Sequence, residues 1–176
     1  MKTKFAFIII FMGMLLGCNT QLSDYRSETS TPTFNLFEYF SGETTAWGMV
    51  QDFSDKQTRR FEVVIVGSVE GDRLTLVEDF VFDDGEQQQR IWVIERQSDG
   101  RYQGTANDVI GVAKGAELGH VMHWQYDLQL PWGEGTTQVS MDDWLYRQDD
   151  KHLFNITKIS KFGLEVGQVT IFFQKQ

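Results

Sequence analysis

The sequence predicts an all-β fold, an antiparallel up-and-down barrel of about 8–9 strands with a short N-terminal helix. Three observations lead there. Beyond Gly42 the apolar residues recur with period two, and no segment keeps a 3.6-residue period. The connections are short and rich in Gly and Asp, as consecutive hairpins require. Strands with one apolar face each, laid side by side, must close on themselves to hide the outermost edges. With 41% hydrophobic residues and 14% aromatics, the 176 residues can fill one core, so a single domain is expected.

Taken in order, Lys2 and Lys4 give a basic start, and residues 5–16 form an uncharged apolar run too short to span a bilayer as a helix. Residues 1–17 therefore read as a signal peptide. Its end, Leu15-Leu16-Gly17-Cys18, resembles the lipobox of bacterial lipoproteins, in which the cysteine is acylated and becomes the new N-terminus. On this reading Cys18 is the lipid-attachment residue. It is also the only cysteine, so no disulfide can form within the chain. Acyl chains contribute about 0.8 kcal/mol per buried methylene, so two or three hold a protein on its membrane permanently. Asn19 stands where enteric lipoproteins retained in the inner membrane carry aspartate, which points to the outer membrane and its periplasmic face. Loss of residues 1–17 removes two lysines and moves the net charge from −9 to −11. A domain so acidic repels phosphates, which disfavours nucleic acid and electrostatic docking on anionic lipid.

Residues 18–33 contain seven Ser or Thr and Pro32 without apolar periodicity, and read as a flexible tether. Residues 34–40, Phe-Asn-Leu-Phe-Glu-Tyr-Phe, make a short aromatic helix ended by Ser41-Gly42 and suited to plug one end of a barrel. The barrel domain is then residues 34–176, with strands at 46–53, 59–69, 73–82, 88–97, 101–113, 121–130, 136–147, 152–160 and 164–174.

Two turns fix a register. Asp83-Asp84-Gly85 and Ser98-Asp99-Gly100 each fit a type I turn followed by a left-handed glycine. The first pairs Phe82 with Glu86 and hence Glu78 with Arg90, Leu76 with Trp92 and Leu74 with Ile94. The second pairs Gln97 with Arg101 and hence Ile94 with Gly104, Trp92 with Ala106 and Arg90 with Asp108. Glu78 interrupts the apolar face Leu74, Leu76, Phe80, Phe82, and this register explains how: Glu78, Arg90 and Asp108 form an acid–Arg–acid row across three strands. A lone buried carboxylate would be costly, whereas a row satisfies its own charges. The row is expected either to anchor a ligand head group or to serve as a structural network. Leu76, Phe80, Trp92, Trp124 and Tyr126 are the expected lining of a cavity for an apolar ligand. Small residues at Gly104, Ala106, Gly111 and Ala113 leave room that Trp92 is expected to fill near Ala106.

Other motifs carry less. His120 and His123, three apart on a strand, point to opposite faces and cannot chelate one ion. Asp142-Asp143-Trp144 and Gln148-Asp149-Asp150-Lys151 match no calcium loop and read as turns or a solvated face. No phosphate-binding loop, nucleophile elbow or zincin helix is present, so neither a metal nor a cofactor is expected, and binding is favoured over catalysis.

Five stretches are shared with a known family: TAWGMVQD (45–52), EDFVFDDGE (78–86), RIW (90–92), GRYQGTANDVIGVAKG (100–115) and WQYDLQLP ending at Pro131. Through them the chain resembles the bacterial lipoproteins of domain-of-unknown-function family 3833 over nearly its whole mature length. The strand pattern is similar to that of lipocalins, although the Gly-x-Trp of their first strand is here Gly42 and Trp47-Gly48. These resemblances imply a lipocalin-like (calycin-like) barrel and no catalytic residues. The expected function is that of an outer-membrane lipoprotein whose periplasmic barrel binds or carries a lipid or other apolar ligand. A filled barrel acting as a non-catalytic envelope interaction module, and a lipid-modifying enzyme, are the alternatives.

Overall fold

Ten antiparallel strands follow one another around a closed barrel. They are β1 (Gly42–Asp52), β2 (Gln57–Glu70), β3 (Arg73–Phe82), β4 (Gln87–Arg96), β5 (Tyr102–Thr105), β6 (Val109–Leu118), β7 (Val121–Trp132), β8 (Gly135–Arg147), β9 (His152–Lys161) and β10 (Leu164–Lys175). Each pairs with its neighbours in sequence, and β1 closes the ring on β10 from Thr44↔Lys175 to Asp52↔Gly167. This computed structural model describes residues 20–26, 31–132 and 135–176. Residues 1–17, expected to be a signal peptide, and Cys18 lie outside them. Among the described residues no helix is long and apolar enough to cross a membrane.

The β3–β4 hairpin has the expected register, with Leu74↔Ile94, Leu76↔Trp92 and Glu78↔Arg90. Its turn closes as the Asp-Asp-Gly sequence requires: Gly85 sits at φ +86°, and Phe82 donates from its backbone to Glu86 at 2.9 Å. The β4–β5 turn behaves likewise, with Gly100 at φ +79° and Ile94 opposite Gly104. Beyond Thr105 the expectation fails, because residues 101–113 are two strands rather than one. Asn107 and Asp108 turn the chain, Val109 donating to the Ala106 carbonyl at 3.2 Å. β6 then runs back along β5, with Gly104↔Ala113. Asn and Asp favour such turns through their own side chains, and no glycine is needed to mark them. Trp92↔Ala106 and Arg90↔Asp108 are therefore not ladder pairs.

The end of the barrel bounded by the β2–β3, β6–β7 and β8–β9 turns is sealed by the helix α1 (Leu36–Phe40). Asn35 caps it by accepting from the Glu38 N–H at 3.2 Å. Leu36, Phe37, Tyr39 and Phe40 are buried against the strand ends. Gly67 is required beneath the helix, since a Cβ there would collide with the Phe40 carbonyl. Arg147, itself buried, clasps the plug by donating to the Thr33 carbonyl at 2.9 Å and to Glu38 Oε1 at 3.1 Å. Below the plug Leu74, Leu76, Trp92, Ile94, Tyr102, Ala113, Met122, Trp124 and Leu153 form a dense core.

The tether is partly docked rather than free. Leu22–Tyr25 forms a 3₁₀ turn, and the Tyr25 ring lies 5.8 Å from those of His120 and Trp144 and 6.0 Å from that of Tyr146 on the outer wall. Tyr25 thereby covers aromatic surface that the Ser/Thr-rich composition around it does not announce.

Candidate functional site

Midway between the plug and the opposite mouth, polar side chains form an arc on the inner wall. Strand β3 points Leu74, Leu76, Glu78, Phe80 and Phe82 inwards, and Glu78 faces Arg90 across the ladder. Arg90 turns to Asp108, donating from Nε at 3.0 and 3.1 Å and from Nη2 at 2.6 Å. Its Nη1 stays 4.0 Å from Glu78 Oε2, an ion pair without a hydrogen bond. Glu78, Arg90 and Asp108 are thus brought together, with Asp108 supplied by the β5–β6 turn instead of a strand. The Glu78 side chain keeps 12% of its surface exposed and Arg90 23%, so the row is sheltered without being sealed.

The arc continues through residues that the sequence reading placed elsewhere. Asp143 lies in the middle of β8 and points inwards, 8% exposed, where a turn or solvated face was expected. The reason is the period of β8: Val139, Met141 and Leu145 are buried on the same side. An acid inside an apolar alternation marks Asp143 by the same signal as Glu78. The Tyr126 and Thr157 hydroxyls pull against the rise in the pKa of the Asp143 carboxyl, while its Oδ1 is buried without a hydrogen-bond partner. Thr157 also donates to Asn155 Oδ1 at 3.0 Å, and Asn155 donates to the Trp144 carbonyl at 3.3 Å.

Burial is the first cause of two pKa shifts here. It lifts Glu78 from 4.5 to about 7 against the pull of Arg90, with Asp108 and Asp143 adding to the rise. It lifts Asp143 from 3.8 to about 7 against the Thr157 and Tyr126 hydrogen bonds and the Arg90 charge. Burial, reinforced by Asp143, keeps the Tyr126 phenol neutral. Two carboxyls able to gain or lose a proton near neutrality, with one guanidinium between acids, can bind a donor or exchange a proton.

The expected cavity lining divides. Leu76, Trp92 and Trp124 are 5–6% exposed and pack as core. The two indoles meet edge to face at 5.8 Å. Trp124, rather than Trp92, fills the room left by a glycine: a Cβ on Gly104 would sit 2.8 Å from its Cζ2. These three residues belong to the buried core cluster. Tyr126 touches Trp92 at 5.3 Å and belongs to the arc, and Phe80 belongs to the mouth. There Phe80, Phe82, Val50, Val109 and Val169 are only partly buried, and Phe61 sits 5.5 Å from Phe80 and 5.7 Å from Phe82. The hairpin tips beside the mouth expose Phe53 (83%) and Phe162 (94%).

Two clefts open elsewhere. One of about 490 Å³ lies outside the plug, between Phe37, Glu38, Val69 and Arg96. One of about 380 Å³ lies at the β3–β4 rim, around Phe80 and residues 87–89. The first is larger but has no sheltered acid. The second borders the mouth. His123 is on the outer wall, bonded to Asp142 Oδ1 at 2.6 Å and stacked on Trp144. His120 is at the β6–β7 turn and His152 bonds Asp149, so the histidines stand apart from the arc. Among the described residues no group of three His, Cys, Asp or Glu side chains is placed to hold a metal. A separate apolar strip crosses the outer wall, where Trp47 and Phe154 are 43% and 42% exposed and both contact Phe172.

A barrel of this kind has solved relatives in shape. The S-type phycobiliprotein lyase CPES from Guillardia theta superposes with a TM-score of 0.56 over 80% of this chain and 90% of that one, at 6% identity. The likeness is one of fold, a lipocalin-like barrel. No curated protein sequence matches the chain. The model of one family matches residues 12–175, nearly the full length. The chain therefore belongs to the proteins of unknown function grouped as DUF3833.

Proposed function

We propose that this is a lipoprotein, anchored in the outer membrane by acyl chains on Cys18, whose periplasmic barrel binds and carries a lipid or another apolar ligand. The observation that carries the proposal is the grading of the interior. One end is plugged and solid, the other is rimmed by partly exposed Phe80 and Phe82, and a sheltered polar arc lies between them. Such a gradient suits a ligand with an apolar body held at the mouth and a polar head held by the arc. The lipocalin-like shape agrees with this use.

Native mass spectrometry tests it on residues 19–176, which keep every described residue, purified without detergent and exposed to envelope lipid extract. A one-to-one complex with a defined apolar molecule is the expected result, and an unchanged apo mass would end the carrier reading. Incorporation of labelled palmitate that disappears in Cys18→Ser tests the anchor.

The outer strip of Trp47, Phe154 and Phe172 favours a second reading, an envelope interaction module that docks a protein on that wall. An unchanged apo mass together with a partner lost in Trp47→Ser and Phe154→Ser would select it.

A further inference from the structure

We infer that the arc selects an amphiphile with a cationic head group, such as a primary ammonium, and disfavours anionic heads. The inference rests on the carrier reading and adds the chemistry of the head. Three carboxyls, Glu78, Asp108 and Asp143, face the lumen with a single guanidinium in their midst, and the donors of Arg90 are spent unevenly. Nε and Nη2 serve Asp108 at 2.6–3.1 Å, and Glu78 is left at 4.0 Å without a hydrogen bond. Asp143 Oδ1 is buried with no donor at all. A buried acceptor without a donor is costly, and an arriving donor recovers that cost. An ammonium brings three N–H donors and the charge that the arc lacks. A phosphate or carboxylate head would add negative charge beside three carboxyls and find only Arg90 Nη1 unspent.

The rest of the lumen does not redress the balance. Strands β1 and β10 contribute Ala46, Val50, Val169 and Ile171, and β9 contributes the neutral Asn155 and Thr157. Tyr126 on β7 is a neutral phenol. At the rim Arg59 on β2 lies 3.5 Å over the Phe82 ring; its Nη2 is bound to Asp84 and Glu86, and its unpartnered Nε stays at the rim beyond the arc. The near-neutral titration of Glu78 and Asp143 fits the same picture, since an ammonium beside them favours their charged forms.

Three probes of one chain length separate the possibilities: dodecylamine, dodecanol and dodecanoate, titrated below their micelle concentrations into residues 19–176 and followed by tryptophan fluorescence. At about pH 7.5 dodecylamine should bind about tenfold tighter than dodecanoate, with dodecanol between. Glu78→Gln and Asp143→Asn should each shrink that ratio several-fold. Asp79→Asn removes the same charge from the outer face of the same strand and should leave the ratio unchanged. Equal or tighter binding of dodecanoate overturns the inference and leaves the carrier reading standing. A ratio that falls only in Asp79→Asn overturns it as well, by assigning the preference to surface charge. Binding of none of the three overturns both readings. If neither lumen variant folds, the wild-type ratio must still rise between about pH 5.5 and 8 as the two acids ionise, and a flat ratio overturns the inference.

Discussion

Towards α1 the barrel is solid: Leu74, Tyr102, Met122 and Leu153 are at most 2% exposed, and the space over Gly104 is taken by Trp124. Towards the mouth β3, β6 and β10 carry Phe80, Phe82, Val109 and Val169 that remain partly open, above acids that lack full partners, while β7 and β8 stay buried there, at Leu128, Val139 and Met141. The difference follows from what closes each end. Arg147, Lys175 and Tyr39 tie the plug to strand ends by hydrogen bonds, while the mouth is bounded by hairpin tips. Packing is concentrated in one half, and the other half is where the proposed ligand would sit.

The sharpest test of that division is a pair of truncations. Trp124→Ala should cost about 3–5 kcal/mol in denaturant unfolding, because it empties a space that two glycine-containing strands were shaped around. Phe80→Ala should cost about 1 kcal/mol or less and instead weaken binding of an apolar probe, since a partly exposed ring buries less surface. Equal costs would mean that the mouth is packed like the plugged half, and the division would fall.

Arg90→Leu addresses the boundary between the halves. It leaves Glu78 and Asp108 facing each other without their cation, and should cost about 3 kcal/mol at neutral pH. The loss should shrink at about pH 5, where protonation removes the repulsion. Wild-type stability in this variant at both pH values would show that the row contributes nothing to the fold.

How much of this was legible in the sequence differs between the halves too. The β3–β4 register, and with it the Glu78–Arg90 pair, follows from Asp-Asp-Gly and the period of two, because a one-residue slip would turn Leu74, Leu76 and Phe82 out of the core. The plug was legible because residues 34–40 are aromatic and bounded by Ser-Gly. The β5–β6 turn was not, since Ala106-Asn107-Asp108-Val109 turns without the glycine that marked its neighbours. Asp143 carried conflicting signals: its acidic neighbour suggests a solvated cluster, while its strand period places it inside. The filling of Gly104 by Trp124 was beyond reach, because it joins residues brought together by the fold of β6 back on β5.

The two regions should also titrate in opposite directions. Glu78 and Asp143 have folded values near 7 against ordinary values of 4.5 and 3.8. Between about pH 4 and 7 the folded chain therefore holds more protons than the unfolded chain, and these groups together make stability fall by several kcal/mol as pH rises through that window. At the β8–β9 turn beside the plug, Asp149 is held at about 2 by the His152 hydrogen bond first and by backbone N–H groups. Its contribution is present above about pH 4 and is lost as pH falls towards 2. Denaturant unfolding across pH should show greatest stability near about pH 4–5, with the alkaline slope flattened in Glu78→Gln. A rise in stability from pH 5 to 7 would place both acids in water.

The smallest effect probes whether the halves are independent. Tyr39 is fully buried in the plug, and its hydroxyl lies 2.9 Å from the Lys151 carbonyl and 3.4 Å from that of Phe173. One proton serves one acceptor well, and the shorter contact is the bond. Tyr39→Phe keeps the ring packing and removes only that bond, so it should cost about 1 kcal/mol. Tyr39 and Arg90 share no hydrogen-bond partner, so the double variant with Arg90→Leu should lose the sum of the two single costs to within about 0.5 kcal/mol. Affinity for an apolar probe should be unchanged by Tyr39→Phe alone. A coupling well above that limit, or a loss of binding on loosening the plug, would mean that the solid half sets the geometry of the arc through Trp124 and Tyr126, and that the barrel responds to its ligand as one piece.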